Sequence, residues 1–111
     1  MGLPVTVYLN ESRDHFYGYQ PGDQLSAAAT FELPPSLLDA RDGQYAMLEL
    51  VFHELNVDNP TEEWAQDYRA RRNRSLSVGD VVLLGESAFA VAGSGWDNVA
   101  LQASQVRREL P

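Results

Sequence analysis

The part of the chain that most constrains its fold runs from residue 72 to residue 84 and reads RNRSLSVGDVVLL. It ends in four consecutive aliphatic residues, Val81 to Leu84. A strand that is apolar at successive positions buries both of its faces, which predicts a place in the middle of a sheet. Gly85-Glu86-Ser87 follows as a turn, and Ala88 to Ala92 is the predicted hairpin partner.

Two more strands are predicted in the N-terminal third of the chain. Leu3 to Leu9 (LPVTVYL) is rich in β-branched residues and alternates in polarity. Gln24 to Leu33 (QLSAAATFEL) has period 2, and one apolar face is predicted to contain Leu25, Ala27, Ala29, Phe31 and Leu33. Three alanines make a helix the rival interpretation for Ser26 to Thr30. The intervening His15 to Asp23 (HFYGYQPGD) is broken by glycine and proline and is predicted to form a loop.

Two helices are predicted in the middle of the chain, after a short helical turn at Ser36 to Ala40. Gln44 to Leu55 has helical spacing, with a predicted buried stripe of Tyr45, Leu48, Val51, Phe52 and Leu55. Asn59-Pro60-Thr61-Glu62 reads as the start of the second helix, with Asn59 as cap, Pro60 at the first position and Glu62 reaching back.

The C-terminal part is predicted to contain a bend, a short strand and a tail. Gly93-Ser94-Gly95 reads as a bend that lets Trp96 fold back onto the protein, and Val99 to Ala103 as a last short strand. Val106 to Pro111 is polar and is predicted to be a frayed tail.

The order of these elements predicts an α+β fold, an antiparallel sheet of about four to five strands with two helices packed on one side. At 111 residues the chain is predicted to be a single domain. Within it we distinguish N-terminal strands and a loop (1–35), a helical part (36–74), a C-terminal hairpin and strand (75–103) and a tail (104–111).

Composition excludes several classes of protein. There is no cysteine, so disulfides and thiolate zinc sites are impossible. No apolar run is long enough to cross a membrane, and the N-terminus lacks the charged and apolar regions of a signal peptide. These features predict a soluble cytoplasmic protein.

The formal net charge is −8, and it is unevenly distributed along the chain. Residues 1–68 hold twelve acids and two arginines, whereas residues 69–111 hold four acids and six arginines. The acidic part should repel nucleic-acid backbones and could attract a basic surface of another protein. Ordinary solubilising charge is the simpler interpretation.

Catalytic and metal-binding patterns are not recognisable. His53-Glu54 would need a second histidine at position 57, which is valine, and His15 is the other histidine. Ser75, Ser77 and Ser87 lie outside any Gly-x-Ser-x-Gly turn. The carboxylate pairs Glu62-Glu63 and Asp39-Asp42 have no pattern that indicates a cleft. We therefore predict a protein that is not an enzyme and needs no cofactor or metal.

A cluster of four arginines follows the second helix, and it is the main candidate for partner binding. It comprises Arg69, Arg71, Arg72 and Arg74, with Trp64, Tyr68 and Trp96 as candidate aromatic contacts. Arginines of this density can bind phosphates or an acidic partner. They also suit the negative end of a helix, and a solvated patch without a partner is the interpretation that the sequence favours over contact with a protein or a nucleic acid.

A group of motifs between residues 52 and 96 resembles a known family. It consists of FHELN (52–56), Pro60, YRARRNRSLSVGDVV (68–82) and Gly95-Trp96. The pattern is similar to YodL-like small domains of plasmids and other bacterial mobile elements, and it covers about 40% of the chain. The resemblance implies a mobile-element context and no catalytic residue.

These observations favour a non-enzymatic accessory protein that acts by protein–protein contact, as a monomer or a homodimer with an unknown partner. The alternatives are a nucleic-acid-binding module that uses the Arg69–Arg74 cluster and an acidic mimic of DNA. A small enzyme is the weakest hypothesis.

Overall fold

The structure, a computed structural model, describes residues 2–36 and 43–107. It contains a six-stranded sheet and two helices. In chain order the elements are β1 (Leu3–Asn10), β2 (Leu25–Leu33), α1 (Gly43–Asn56), α2 (Glu63–Ala70), β3 (Val81–Leu84), β4 (Ser87–Val91), β5 (Trp96–Val99) and β6 (Val106–Arg107).

The sheet has the order β5-β4-β3-β1-β2-β6, which confirms the predicted α+β class. The first five strands in this order pair antiparallel, and the two-residue β6 pairs parallel to β2. As its apolar sequence predicted, β3 lies in the interior of the sheet, between β4 and β1. No helix among residues 2–36 and 43–107 is long and apolar enough to cross a membrane.

Both helices pack on the same face of the sheet and form the main core with it. The helical residues buried there are Met47, Leu48, Val51, Leu55, Ala65 and Tyr68. The predicted stripe of α1 is wrong at Tyr45, which is 54% exposed, and it missed Met47. Compared with the prediction, the helix is rotated about its axis, so that Met47 and Val51, one turn apart, face the sheet.

A β-bulge in β2 corrects the predicted apolar face of that strand. Val7 lies opposite Ala29 and Tyr8 lies opposite Ala27, so Ala28 is the extra residue. Side chains on either side of a bulge change faces. Ala29, Phe31 and Leu33 therefore pack under the helices, whereas Leu25 packs on the other side of the sheet.

The predicted capping box of the second helix is also wrong, because α2 begins at Glu63 and its N-cap Glu62 makes no side-chain capping bond. The buried carboxylate of Glu54, on α1, accepts hydrogen bonds from the backbone N–H groups of Thr61 (2.8 Å) and Glu62 (2.7 Å) instead. A charged acceptor from another helix satisfies the donors that the local sequence was expected to cap.

The predicted strand at Val99 to Ala103 is wrong beyond Val99, where β5 ends, and the predicted frayed tail is wrong at Val106–Arg107, which form β6. After β5 the chain crosses the helix-free face of the sheet, forms a 3-10 turn at Ala103–Gln105 and pairs with β2. The buried Gln105 side chain donates to the Tyr19 hydroxyl (2.7 Å) and to the Asp23 carbonyl (3.0 Å). These bonds anchor the chain directly before Val106, where the segment that polarity predicted to fray begins. Residues 37–42 and 108–111, with most of the predicted turn at Ser36 to Ala40, lie outside the described residues.

Candidate functional site

Arg74, the last arginine of the predicted cluster, forms an ion pair with Asp80 at the start of β3. Its guanidinium donates two hydrogen bonds to the carboxylate, at 2.6 and 2.7 Å, and a third to the Asn10 carbonyl at 3.1 Å. The Asp80 side chain is fully buried, whereas that of Arg74 is 40% exposed. Hydrogen bonding to Asp80 raises the pKa of the Arg74 guanidinium, although partial burial opposes the rise. This arginine therefore holds the fold together at the loop that leads into β3.

Asp80 also organises the backbone around it. It accepts hydrogen bonds from the N–H groups of Asn10 and Ser77, both at 2.8 Å. The Asn10 side chain donates to the Gly79 carbonyl (3.0 Å) and to the Asp23 carboxylate (2.9 Å). We call these residues, with Arg74, the Asp80 cluster. It joins the end of β1, the loop after β1 and the segment before β3.

Residues that carry the sequence resemblance contact one another in the fold. The Asn56 side chain accepts from the Leu76 N–H (2.7 Å) and donates to the Leu76 carbonyl (3.0 Å), which fixes the segment before β3 to the end of α1. The Tyr68 hydroxyl donates to the Arg74 carbonyl at 2.5 Å. These contacts give the motif at residues 68–82 an architectural role.

The three aromatic candidates are largely built into the core. Tyr68 is buried, and burial raises the pKa of its hydroxyl; the nearby Asp80 charge adds to the rise and Arg74 opposes it. Trp96 is buried after the bend at residues 93–95, as predicted, and its Nε1 donates to the Glu49 carboxylate at 3.0 Å. Trp64 is half-buried and stacks on Phe31, with ring centroids 4.1 Å apart.

The other three arginines are exposed at the end of α2, and two of them bond within the protein. Arg69 donates to the Val57 carbonyl (2.6 Å), and Arg71 pairs with Asp67 at 2.7 Å. Arg72 has a positive φ of 64°, and its backbone N–H donates to the Arg69 carbonyl at 2.9 Å, but its guanidinium makes no hydrogen bond or ion pair with another described residue. It is the member of the predicted cluster whose charge remains available to a partner.

The structure reveals a surface that the sequence reasoning missed, the 3-10 turn at His15–Tyr17, which we call the aromatic turn. Phe16 is 64% exposed and Tyr17 is 85% exposed, and their rings lie edge to face. Most aromatic residues are drawn into a core of this size, so two adjacent exposed rings are unusual. The dense run of aromatics in a loop broken by glycine was the available signal.

The aromatic turn is fixed to the Asp80 cluster. The Nδ1 atom of His15 lies 2.8 Å from the Val78 carbonyl oxygen, which makes it the hydrogen-bond donor there. Gly79, with φ 92°, lies against the His15 backbone so closely that a β-carbon at position 79 would overlap the His15 carbonyl. A glycine is therefore required where the two segments meet.

The candidates for chemistry are dispersed over the part of the chain that the structure describes. His15 belongs to the aromatic turn, and His53 is exposed on α1. Ser77 bonds to Asp80 through both its N–H and its hydroxyl. No group of three or more histidine or acidic side chains that could hold a metal ion is found among the described residues.

Comparisons of the chain with protein-family models, curated proteins and solved structures gave no match. The resemblance to YodL-like domains stays a prediction from the sequence.

Proposed function

We propose that this is a non-enzymatic accessory protein of the mobile-element type, acting in the cytosol, and that it binds a partner protein through the aromatic turn. The observation that carries the proposal is the exposure of Phe16 and Tyr17 on a turn that the hydrogen bond from His15 to Val78 holds in place. Large aromatic side chains supply much of the energy of protein interfaces, because they bury a large apolar area with few rotatable bonds.

Rigidity supports the aromatic turn as a contact. Its backbone is closed by hydrogen bonds from the Tyr17 N–H to the Asp14 carbonyl (3.0 Å) and from the Gly18 N–H to the His15 carbonyl (2.9 Å). It also rests on Gly79 and on the Asp80 cluster. A loop that is already ordered loses little conformational entropy on binding, so more of the contact energy appears as affinity.

The nucleic-acid alternative has less support. Arg74 forms an ion pair with Asp80, and Arg71 forms one with Asp67. Arg69 donates a hydrogen bond to the Val57 carbonyl. Tyr68, which could have stacked on a base, is buried. One arginine of the cluster with a free side chain, in a protein with an overall charge of −8, is a weak basis for phosphate binding.

Mimicry of DNA also has less support, because it needs an ordered outer row of negative charge. Several carboxylates instead bond to groups of the protein itself, and these are Asp23, Glu49, Glu54, Asp67 and Asp80.

The experiment compares Phe16→Ala/Tyr17→Ala with Tyr45→Ala, a matched control that removes another exposed aromatic ring from α1. Tagged wild type and variants are used to capture proteins from a bacterial lysate, with and without nuclease. We expect a specific protein that survives nuclease, is retained by Tyr45→Ala and is lost with the double variant. All three proteins should unfold at similar temperatures, because the rings removed are exposed.

Equal capture by the wild type and the double variant would overturn the role of the aromatic turn. Capture that disappears with nuclease would favour nucleic acid as the partner. Light scattering of the same three proteins tests the remaining option, a homodimer through this turn, which the double variant would convert to a monomer.

A further inference from the structure

The helix-free face of the sheet carries a second surface, separate from the aromatic turn. The segment 100–105 crosses this face from β5 at one edge to β6 at the other, and covers only part of it. A groove with a volume of about 800 Å³ remains between the sheet and this segment. Ala100, Leu101 and Gln102 line it on the side of the crossing segment.

One row of side chains in the floor of the groove runs across five strands, and Tyr8, Ala27 and Val106 line the groove beside it. Val99, Ala88, Leu83, Thr6 and Thr30 are successive cross-strand neighbours, and all of them line the groove. Strands lie about 4.8 Å apart, so the row is about 19 Å long. The volume of about 800 Å³ over that length gives a mean cross-section of about 40 Å².

This shape selects an extended occupant. An α-helix with its side chains is about 10 Å wide, with a cross-section of about 80 Å², so about half of it would project out of the groove. An extended chain of about six residues, at about 3.3 Å per residue, has the right length.

The polar groups around the groove suit a peptide backbone. Thr6 and Thr30 place hydroxyls in the floor, and Gln102 places an amide in the wall. Apart from the pairing of the strands, the backbone N–H and C=O groups of Ala100 and Leu101 make no hydrogen bond to the backbone of another described residue. An extended peptide can satisfy its own N–H and C=O groups with such partners.

The charge around the groove is negative. Glu86 lines it, and Glu32 and Asp97 lie on the same face, two residues along their strands from Thr30 and Val99. No described arginine side chain lines the groove. A basic residue in the occupant would therefore find an opposite charge.

We propose that this groove binds an extended segment of a partner protein, about six residues long, that alternates small apolar and basic side chains. The site does not depend on the aromatic turn.

The test uses the full chain labelled with ¹⁵N and titrated with two synthetic eight-residue peptides, one of alternating valine and arginine and one of alternating valine and glutamate. We expect the arginine peptide to shift the amide resonances of the groove floor and of residues 99–102, and the glutamate peptide to leave them unchanged. Glu86→Arg should weaken the arginine peptide by roughly fivefold, the size of a partly exposed ion pair. Glu63→Arg makes the same change of charge at an exposed position of α2, and it should leave the affinity for the arginine peptide unchanged.

Thr30→Phe is a second variant, because Thr30 is exposed and phenylalanine is favoured in strands. Its ring should block one end of the groove and abolish the shifts. The proposal would be overturned by equal binding of both peptides, by shifts that map elsewhere, or by a loss of affinity in Glu63→Arg that equals that in Glu86→Arg. Phe16→Ala/Tyr17→Ala should bind the arginine peptide normally, so failure of one proposal can be told from failure of the other.

Discussion

Replacement of Asp80 by alanine is expected to lower the free energy of unfolding by about 3–5 kcal/mol. The change removes a fully buried carboxylate and leaves the backbone N–H groups of Asn10 and Ser77 without their acceptor. Each buried donor that loses its partner costs about 1–3 kcal/mol. The Arg74 guanidinium also loses two hydrogen bonds, but it is 40% exposed and can be partly rehydrated, so it adds less.

Urea unfolding followed by tryptophan fluorescence and circular dichroism measures this loss, with Trp64 and Trp96 as reporters. The midpoint should fall while the slope with urea stays constant, because the folded and unfolded states keep their compactness. A domain of this size has a total stability of about 5–15 kcal/mol, so the variant is expected to be folded but marginal.

The matched control is Asp67→Ala, which breaks the ion pair with Arg71 on the surface of α2. Its N–O distance of 2.7 Å is nearly the same as the 2.6 Å between Arg74 and Asp80, but the Asp67 side chain is 58% exposed. Exposed pairs of this kind are worth about 0.3–0.5 kcal/mol. If the two variants lost similar amounts of stability, burial would not be the source of the effect and the reasoning would be refuted.

Three further predictions concern the same region. The folded pKa of Tyr68 lies above its unfolded value of about 10, so the free energy of unfolding should fall by about 1.4 kcal/mol per pH unit above about pH 10. Tyr68→Phe should lose about 1 kcal/mol at pH 7, because it lacks the hydroxyl hydrogen bond. In urea unfolding between pH 10 and 11.5, the stability of this variant should decline less steeply than that of the wild type. Gly79→Ala should lower the free energy of unfolding by about 2–3 kcal/mol, because the new methyl group meets the His15 carbonyl. Gly22→Ala has nearly the same φ but open space around it, and it should cost about 1 kcal/mol. Equal losses of stability in thermal unfolding would disprove the close approach of Gly79 to His15. Arg72→Gly should raise stability by about 0.5–1 kcal/mol in thermal unfolding, because a residue with φ 64° is relieved of left-handed strain, and an unchanged or lower stability would contradict this.

The sequence by itself determined the class of fold, because strand and helix periodicities are local. The doubly apolar Val81–Leu84 indicated an interior strand, and the spacing in Gln44 to Leu55 indicated α1 to within a residue at each end. The bend at residues 93–95 also indicated that Trp96 returns to the core. Each of these inferences depends on neighbours within a few positions of the chain.

Tertiary structure decided the features that depend on distant partners. Periodicity cannot locate the extra residue Ala28, because its position is set by pairing with β1. Gln105 bonds to Asp23, 82 residues away, and so orders a segment that looked like a tail. The arginine cluster, one group in the sequence, is divided in the fold because Asp80 and Asn10 bind Arg74 and leave Arg72 free. Whether a polar side chain serves the fold or a partner depends on the acceptor within about 3 Å of it, and chain folding alone brings that acceptor there.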